Sequence, residues 1–419
     1  MQFSRRTDWN TEESDLARAF RLRCEAGLPV ADLTASNPTR CGFNHPPSVL
    51  EALANPRALD YDPQPRGLLA ARKAVCDYYS GHKVILDPGQ ILLTASTSEA
   101  YSFLFRLLCD PGSEILVLQP GYPLFDFLAG LDDVVLKAAP LVYDQGWQID
   151  PEAIRRAISS RTRAIVAVHP NNPTGHFTKA WEIAELAKLC REFDLSLIVD
   201  EVFLDYRIAQ AQGAQQPALS LSKGPDSGTW DSTDLVKPSS FAAGIAEAPV
   251  FVVSGLSKIA GLPQMKGAWI VATGPDRLQA LDRLEVVADT FLSVNTPVQW
   301  AIPAWLAAAP AIQEQIRNRV AANLSLLDRQ LGLVPELQRL AVEGGWYAVL
   351  RVPALQPDGL TVLALLDGGV WVHPGYFFGM PESGWLVISL LPSSLEFSHG
   401  VTALINYFAK HQGSNTKAG

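Results

Sequence analysis

Three polar side chains each follow a short apolar run, and each is of a type that could do chemistry there. Lys258 lies in Ser254-Gly255-Leu256-Ser257-Lys258, between the runs Pro249–Val253 and Ala268–Ala272. A lysine held at a strand end loses solvation, which favours the neutral amine, the form that adds to a carbonyl to make a Schiff base. A solvated loop lysine is the ordinary alternative. Asp200 closes Leu195-Ser196-Leu197-Ile198-Val199. A carboxylate buried there needs a partner, either a pyridinium nitrogen or a structural arginine. Asn172, in His169-Pro170-Asn171-Asn172-Pro173-Thr174-Gly175, presents an amide able to donate to a ligand oxygen, or simply belongs to a tight turn.

These residues need a scaffold that brings strand ends together. From Gln90 onward short apolar strands alternate with helices: strands at 91–94, 114–118, 133–137, 164–169 and 195–199, helices at 98–108, 122–129, 151–159 and 178–193. That rhythm predicts a mostly parallel sheet covered on both faces by helices, whose ligands bind beyond the carboxyl ends of the strands. A helix over 276–292 and an amphipathic helix over 311–331 follow, with Ile312, Ile316, Val320, Leu324, Leu327 and Leu331 on one face. Strands at 346–352, 370–372 and 385–391 and a final helix from Leu395 to Lys410 predict a second, smaller α+β domain. The expected division is an N-terminal segment, 1–45, packing with the small domain, a large domain, 46–299, a small domain, 300–411, and a frayed tail, 412–419. Residues 210–247, rich in Gln, Ser, Gly, Pro and Asp, read as a surface insertion.

Composition narrows the function. At 419 residues, with 48% hydrophobic and 18% charged side chains, the chain has a large core and the balance of a soluble enzyme. A net charge of −9 with no basic stripe argues against nucleic-acid or anionic-membrane partners. Five scattered cysteines without a CxxC pair fit reduced thiols, neither a disulfide framework nor a zinc site. Met1–Arg6 precedes no apolar core, so no signal peptide is expected, and Pro303 and Pro310 break the longest apolar run. A cytoplasmic location follows as the expectation.

Taken in order, Asn172, Asp200 and Lys258 resemble fold-type I pyridoxal-phosphate enzymes, in particular the class I/II aminotransferases. Tyr61–Gly67, Thr94–Ala100, Pro120-Gly121-Tyr122-Pro123, Glu343–Tyr347 and Val372–Gly375 are similar to further landmarks of that family, so the resemblance covers nearly the whole chain. It implies pyridoxal 5'-phosphate as cofactor, held by Lys258 through a Schiff base. Lys258 would also shuttle the substrate proton, and Asp200 would keep the ring nitrogen protonated. Asn172 would donate to the phenolate oxygen, and Tyr122 would stack on the ring, its alternative being a core tyrosine. Ser96, Thr97 and Ser98 would bind the phosphate at a helix start, with Ser254 and Lys266 completing the cup. Tyr61 would reach the phosphate of a neighbouring subunit, which implies a homodimer with shared sites.

Four positions depart from the family pattern. Phe203 stands where a tyrosine usually donates to the phenolate oxygen. Gly255 replaces a phosphate-binding serine, and Lys266 replaces an arginine, keeping the charge without the bidentate fork. Val387 occupies the position of the carboxylate-binding arginine, and no arginine follows Arg351. Arg40, beside Asn37-Pro38-Thr39, is the candidate substitute. The implied activity is transamination between an amino acid, or a related amine, and a 2-oxo acid. Decarboxylation or β-elimination on the same scaffold and a non-catalytic binding module are the alternatives.

Overall fold

The computed structural model describes residues 1–208, 240–292 and 294–415. In chain order the elements are α1 (Asp15–Glu25), β1 (Ala31–Asp32), α2 (Ser48–Glu51), α3 (Leu69–Gly81), β2 (Ile91–Thr94), α4 (Thr97–Leu108), β3 (Glu114–Gln119), α5 (Phe125–Leu131), β4 (Val135–Tyr143) and β5 (Trp147–Ile149). They continue with α6 (Pro151–Ala157), β6 (Thr162–Val168), α7 (Ala180–Phe193), β7 (Ser196–Asp200), β8 (Val250–Gly255), α8 (Leu256–Ile259), β9 (Ala268–Thr273), α9 (Arg277–Phe291) and α10 (Thr296–Leu331). The last are β10 (Gln338–Arg339), β11 (Tyr347–Arg351), α11 (Asp358–Asp367), β12 (Val370–Trp371), β13 (His373–Pro374), β14 (Trp385–Ser389) and α12 (Ser394–Asn415).

The large sheet has the order β2-β9-β8-β7-β6-β3-β4-β5. Strands β8, β7, β6, β3 and β4 run parallel, and β9 is antiparallel to both β8 and β2. The carboxyl ends of β2, β6, β7 and β8 and the amino end of β9 therefore all emerge on one edge. This topology sets the residues after β8, at the end of β7 and after β6 on adjacent strands, about 4.8 Å apart. The interior strands β6, β7, β8 and β9 are almost wholly buried, as sheets covered on both faces require.

The smaller sheet is antiparallel, in the order β10-β11-β14-β13. Beside it the N-terminal segment forms a separate parallel pair, β1–β12, and is tied to β14 by the bond from Ser389 N to Leu33 O, 2.6 Å. Four departures from the sequence reading are visible. α10 runs unbroken through Pro303 and Pro310, 15 residues before the expected start at 311. Each proline forfeits one backbone bond, but Ile302, Trp305 and Ala309 are buried along that stretch and Trp305 Nε1 donates to Val49 O at 2.8 Å. β5 forms an antiparallel hairpin with β4 that the alternation of strands and helices does not announce. Most of the expected 210–247 insertion lies outside the described residues, but 240–242 is core rather than surface. Phe241 is buried, and Ser240 Oγ and Phe241 N each donate to the buried Glu201 carboxylate at 2.6 Å. α12 extends to Asn415, so the expected tail at 412–419 begins as helix. Among the described residues no helix is long and apolar enough to cross a membrane.

Candidate active site

A cavity of about 320 Å³ opens at the shared sheet edge. Ser96, Thr97, Ser98, Tyr122, Asn172, Asp200, Phe203, Lys258 and Lys266 line it, together with Ser36, Tyr101, Ser257 and Tyr347. Nine of the residues singled out in the sequence thus share one cavity.

Lys258 is carried on α8, the single turn after β8. Its backbone oxygen accepts from Tyr206 Oη at 2.6 Å, which pins that turn to the chain beyond Asp200. Burial lowers the pKa of its amine to about 8, against the pull of Asp200, which raises it. Nζ lies 4.9 Å from the ring centroid of Trp346 and 5.7 Å from that of Phe203. Asp200 receives Val202 N on Oδ1 at 3.0 Å and Tyr101 Oη on Oδ2 at 3.2 Å. Burial nonetheless raises its pKa to about 6, outweighing those donors and Lys258. At neutral pH it is a carboxylate held in a poorly solvated place, which suits a cationic partner.

Asn172 sits on a loop braced by buried charge. Asn171 Oδ1 accepts from Thr174 Oγ1 at 2.8 Å, and Gly175 N returns to Asn171 O at 2.8 Å. Gly175 has a φ of 72°, and a Cβ there would lie 2.4 Å from Val342 Cγ2, so glycine is required. Beneath the loop, the fully buried Glu182 accepts from Lys179 N and Ile149 N and faces His176 Nε2 at 2.9 Å. Glu343 pairs with Lys179 and accepts from Phe177 N at 2.9 Å, tying the loop to the chain before β11. Asn172 Oδ1 is buried without a partner, so its amide, in either orientation, is left for something the cavity holds.

The opposite end of the cavity is the N-terminus of α4. Ser96 is its cap, with Oγ accepting from Glu99 N at 3.1 Å. The first-turn amides have no intrahelical acceptor, and with the helix dipole they favour an anion. Lys266 faces the same cavity from a left-handed conformation, φ 54°, unusual for a side chain with a Cβ. Tyr122 is 37% exposed on the cavity wall, its ring edge-on to Phe125 at 5.6 Å. Burial and the nearby Asp200 push its pKa up to about 12, so it stays a neutral phenol.

The structure sets three expected residues apart from the cavity. Ser254 is fully buried with its Oγ unpartnered and is absent from the wall. It stands in β8, where side chains alternate between faces. The serine on the wall is Ser257, one helical turn later. Gly255 has no room for a serine, since a Cβ would lie 2.8 Å from Ala268 Cβ and 2.9 Å from Gly267 O. Tyr61 is 76% exposed and lines no part of the cavity within one chain. Arg40 is also exposed and off the wall. Val387 is fully buried in β14, paired with Val349 on one side and His373 on the other.

Sequence reasoning missed Tyr101, Ser36, Tyr347, Trp346, Tyr206 and Ser257. Tyr101 was the most accessible, because it lies one helical turn after Thr97 and so shares its face. Ser36, Trp346 and Tyr347 reach the site by tertiary apposition; the sequence marks 343–347 as a landmark but gives Trp346 and Tyr347 no place in the site.

Together, a sheet edge with a desolvated lysine, a buried acid and a helix terminus able to cradle an anion defines the candidate site of an α/β enzyme. The chain belongs to the family described as aminotransferase class I and II, whose profile matches residues 30–403. It is similar to the alanine aminotransferase of Mycobacterium tuberculosis, with 25% identity over 94% of this chain and 89% of that protein. Similarity to the glutamate-pyruvate aminotransferase AlaA of Escherichia coli is 28% over 90% of this chain and 89% of that one. The fold matches the solved alanine aminotransferase of Pyrococcus furiosus with a TM-score of 0.84 at 22% identity, covering 98% of this chain and all of that one.

Proposed function

We propose that this chain is a pyridoxal 5'-phosphate-dependent aminotransferase, exchanging an amino group between an amino acid, or a related amine, and a 2-oxo acid. The observation that carries this reading is the shared cavity in which Lys258, its pKa lowered to about 8, stands with Asp200 and the start of α4. The residues present fit the cofactor: Asn172 Oδ1 is buried without a partner, Asp200 is a buried carboxylate, and Lys266 shares the cavity with the N-terminus of α4. Thr97, Ser98, Ser257 and Lys266 would hold the phosphate, Asp200 the ring nitrogen and Asn172 the phenolic oxygen. When bound, the cofactor supplies an electron sink for the carbanion formed at the donor's α-carbon.

The chain's own residues do the rest. Asp200, ionised above pH about 6, fixes a proton on the group it faces. Lys258 supplies a neutral amine at and above pH about 8, and would take the proton from the donor carbon and deliver it across the nitrogen to the carbon beyond. Tyr122 covers one face of the cavity and keeps water off it. The exposure of Tyr61, 76%, and Leu59, 91%, supports a homodimer in which that loop meets a partner's cavity. We place the enzyme in the cytoplasm, consistent with five free cysteines.

The experiment is an exchange assay on the purified, cofactor-loaded protein with a panel of amino donors and 2-oxo acids. Amino-group transfer from donor to acceptor supports the reading. Release of carbon dioxide, ammonia or sulfide points instead to decarboxylation or elimination, and inertness to every amine points to a binding module.

A further inference from the structure

Lys258 enters the cavity against a stack of aromatic rings that neither the phosphate cradle nor the Asp200 site requires. Trp346 and Phe203 meet edge to face, 5.2 Å apart at 80°, and Tyr206 packs on Trp346 at 4.9 Å and 72°. Trp346 is fully buried, and its backbone oxygen accepts from Leu390 N at 2.7 Å. Its indole N–H has no acceptor, so packing alone orients the ring. The amine of Lys258 lies closer to this ring than to Phe203. An ammonium over an aromatic face is attracted by the ring quadrupole, most strongly by indole and most effectively where water is excluded.

The other titratable groups on the cavity wall are Asp200 from β7, Tyr101 from α4, Tyr122 before α5, Lys266 before β9 and Tyr347 from β11. Asp200 is the one carboxylate among them, and a bound cofactor occupies it under the proposed function. The protonated lysine then has the aromatic faces as its remaining support. We propose that Trp346, backed by Phe203, is a positioning surface for the Lys258 amine whenever that amine is not bonded to the cofactor, holding it while it carries the donor's proton. In that step the Cα–H bond breaks, an Nζ–H bond forms and the electron pair stays with the carbon. The same proton would then pass to the carbon on the other side of the donor's nitrogen, and no further reactant is consumed. Trp346 belongs to the segment that leads into β11, so the small domain contributes directly to the proton carrier of the large one.

This inference rests on the aminotransferase reading for its purpose, but the contact is testable without it. The full-length protein, stripped of cofactor, is pulsed with acetic anhydride from pH 6 to 10, and acetylation of the Lys258 peptide is followed by mass spectrometry. Wild type should show a midpoint near pH 8. Trp346→Leu keeps the site apolar but removes the π face, and should lower the midpoint by roughly half a unit to one unit. Phe203→Leu should lower it less, and Trp346→Phe, which retains a face, less than Trp346→Leu. An unmoved or raised midpoint in folded Trp346→Leu overturns the proposal. Where that variant does not fold, an unmoved midpoint in Phe203→Leu does so instead. In the loaded enzyme, exchange of the donor's α-hydrogen with deuterated solvent should slow in Trp346→Leu while cofactor affinity holds. Exchange at the wild-type rate would contradict the role.

Discussion

The large-domain wall of the cavity, formed by the ends of β2, β6, β7, β8 and β9, carries Asp200, Lys258 and Lys266, the charged groups on the lining among the described residues. The small-domain wall offers Tyr347, with Trp346 behind it, and a sheet in which Val387 is buried between Val349 and His373. His373 is itself held neutral, burial taking its pKa down to about 4. One wall thus carries fixed charges and open backbone donors, while the other is built from aromatic and aliphatic surface. The contrast teaches that the two halves of a reaction can be encoded differently. Under the proposed function, cofactor chemistry sits at strand ends, where topology gathers it, and substrate selection falls to the side chains the second domain brings across.

The largest effect should come from removing the centre of the charged wall. Lys258→Ala is expected to cut amino-group exchange by at least roughly 10³-fold, measured as initial rates with saturating cofactor, because nucleophile and proton carrier are lost together. Asp200→Asn preserves shape and removes the charge, and should cost about 10²- to 10³-fold in kcat. It should also alter pH-dependent stability. The Asp200 pKa is raised from 3.8 to about 6, so the cofactor-free native state binds more protons than the unfolded chain between those values. Stability therefore falls as pH rises through that window, by on the order of 3 kcal/mol. Glu201, raised from 4.5 to about 7, adds the same sign. Urea titrations at pH 4 and pH 7 on Asp200→Asn should show the Asp200 share gone and the Glu201 share kept.

On the other wall the response should be structural. Val387→Arg places an unpaired charge in a fully buried position and should destabilise the protein by about 3–5 kcal/mol, read by urea denaturation. A variant as stable as the parent and tighter for 2-oxo acids would erase the contrast between the walls. Gly255→Ser should lose about 1–3 kcal/mol through contact with Ala268 and Gly267, with no gain in cofactor affinity by equilibrium titration. Tyr122→Phe keeps the ring and removes only a hydroxyl, and should change kcat/KM by less than about 3-fold.

Most of the charged wall was legible because its residues end apolar runs, and a parallel sheet turns such ends into neighbours. Asn172, Asp200 and Lys258 meet for that reason. Ser254 misled because β8 is buried on both faces, while Ser257, past the switch from strand to helix, reaches the wall. The aromatic wall was not legible: Trp346 and Ser36 lie 310 residues apart in sequence, and only tertiary packing decides what they face. The unbroken α10 escaped notice for a similar reason. Its prolines speak locally against helix, and burial of Ile302 and Trp305 overrides them.

The account stands on Lys258 being the residue that bonds the cofactor. Loading the protein with pyridoxal 5'-phosphate, reducing with borohydride and mapping the labelled peptides by mass spectrometry tests this directly. The account predicts one labelled peptide, containing Lys258. A label on Lys266 or another lysine, or no label on a folded protein, would contradict it.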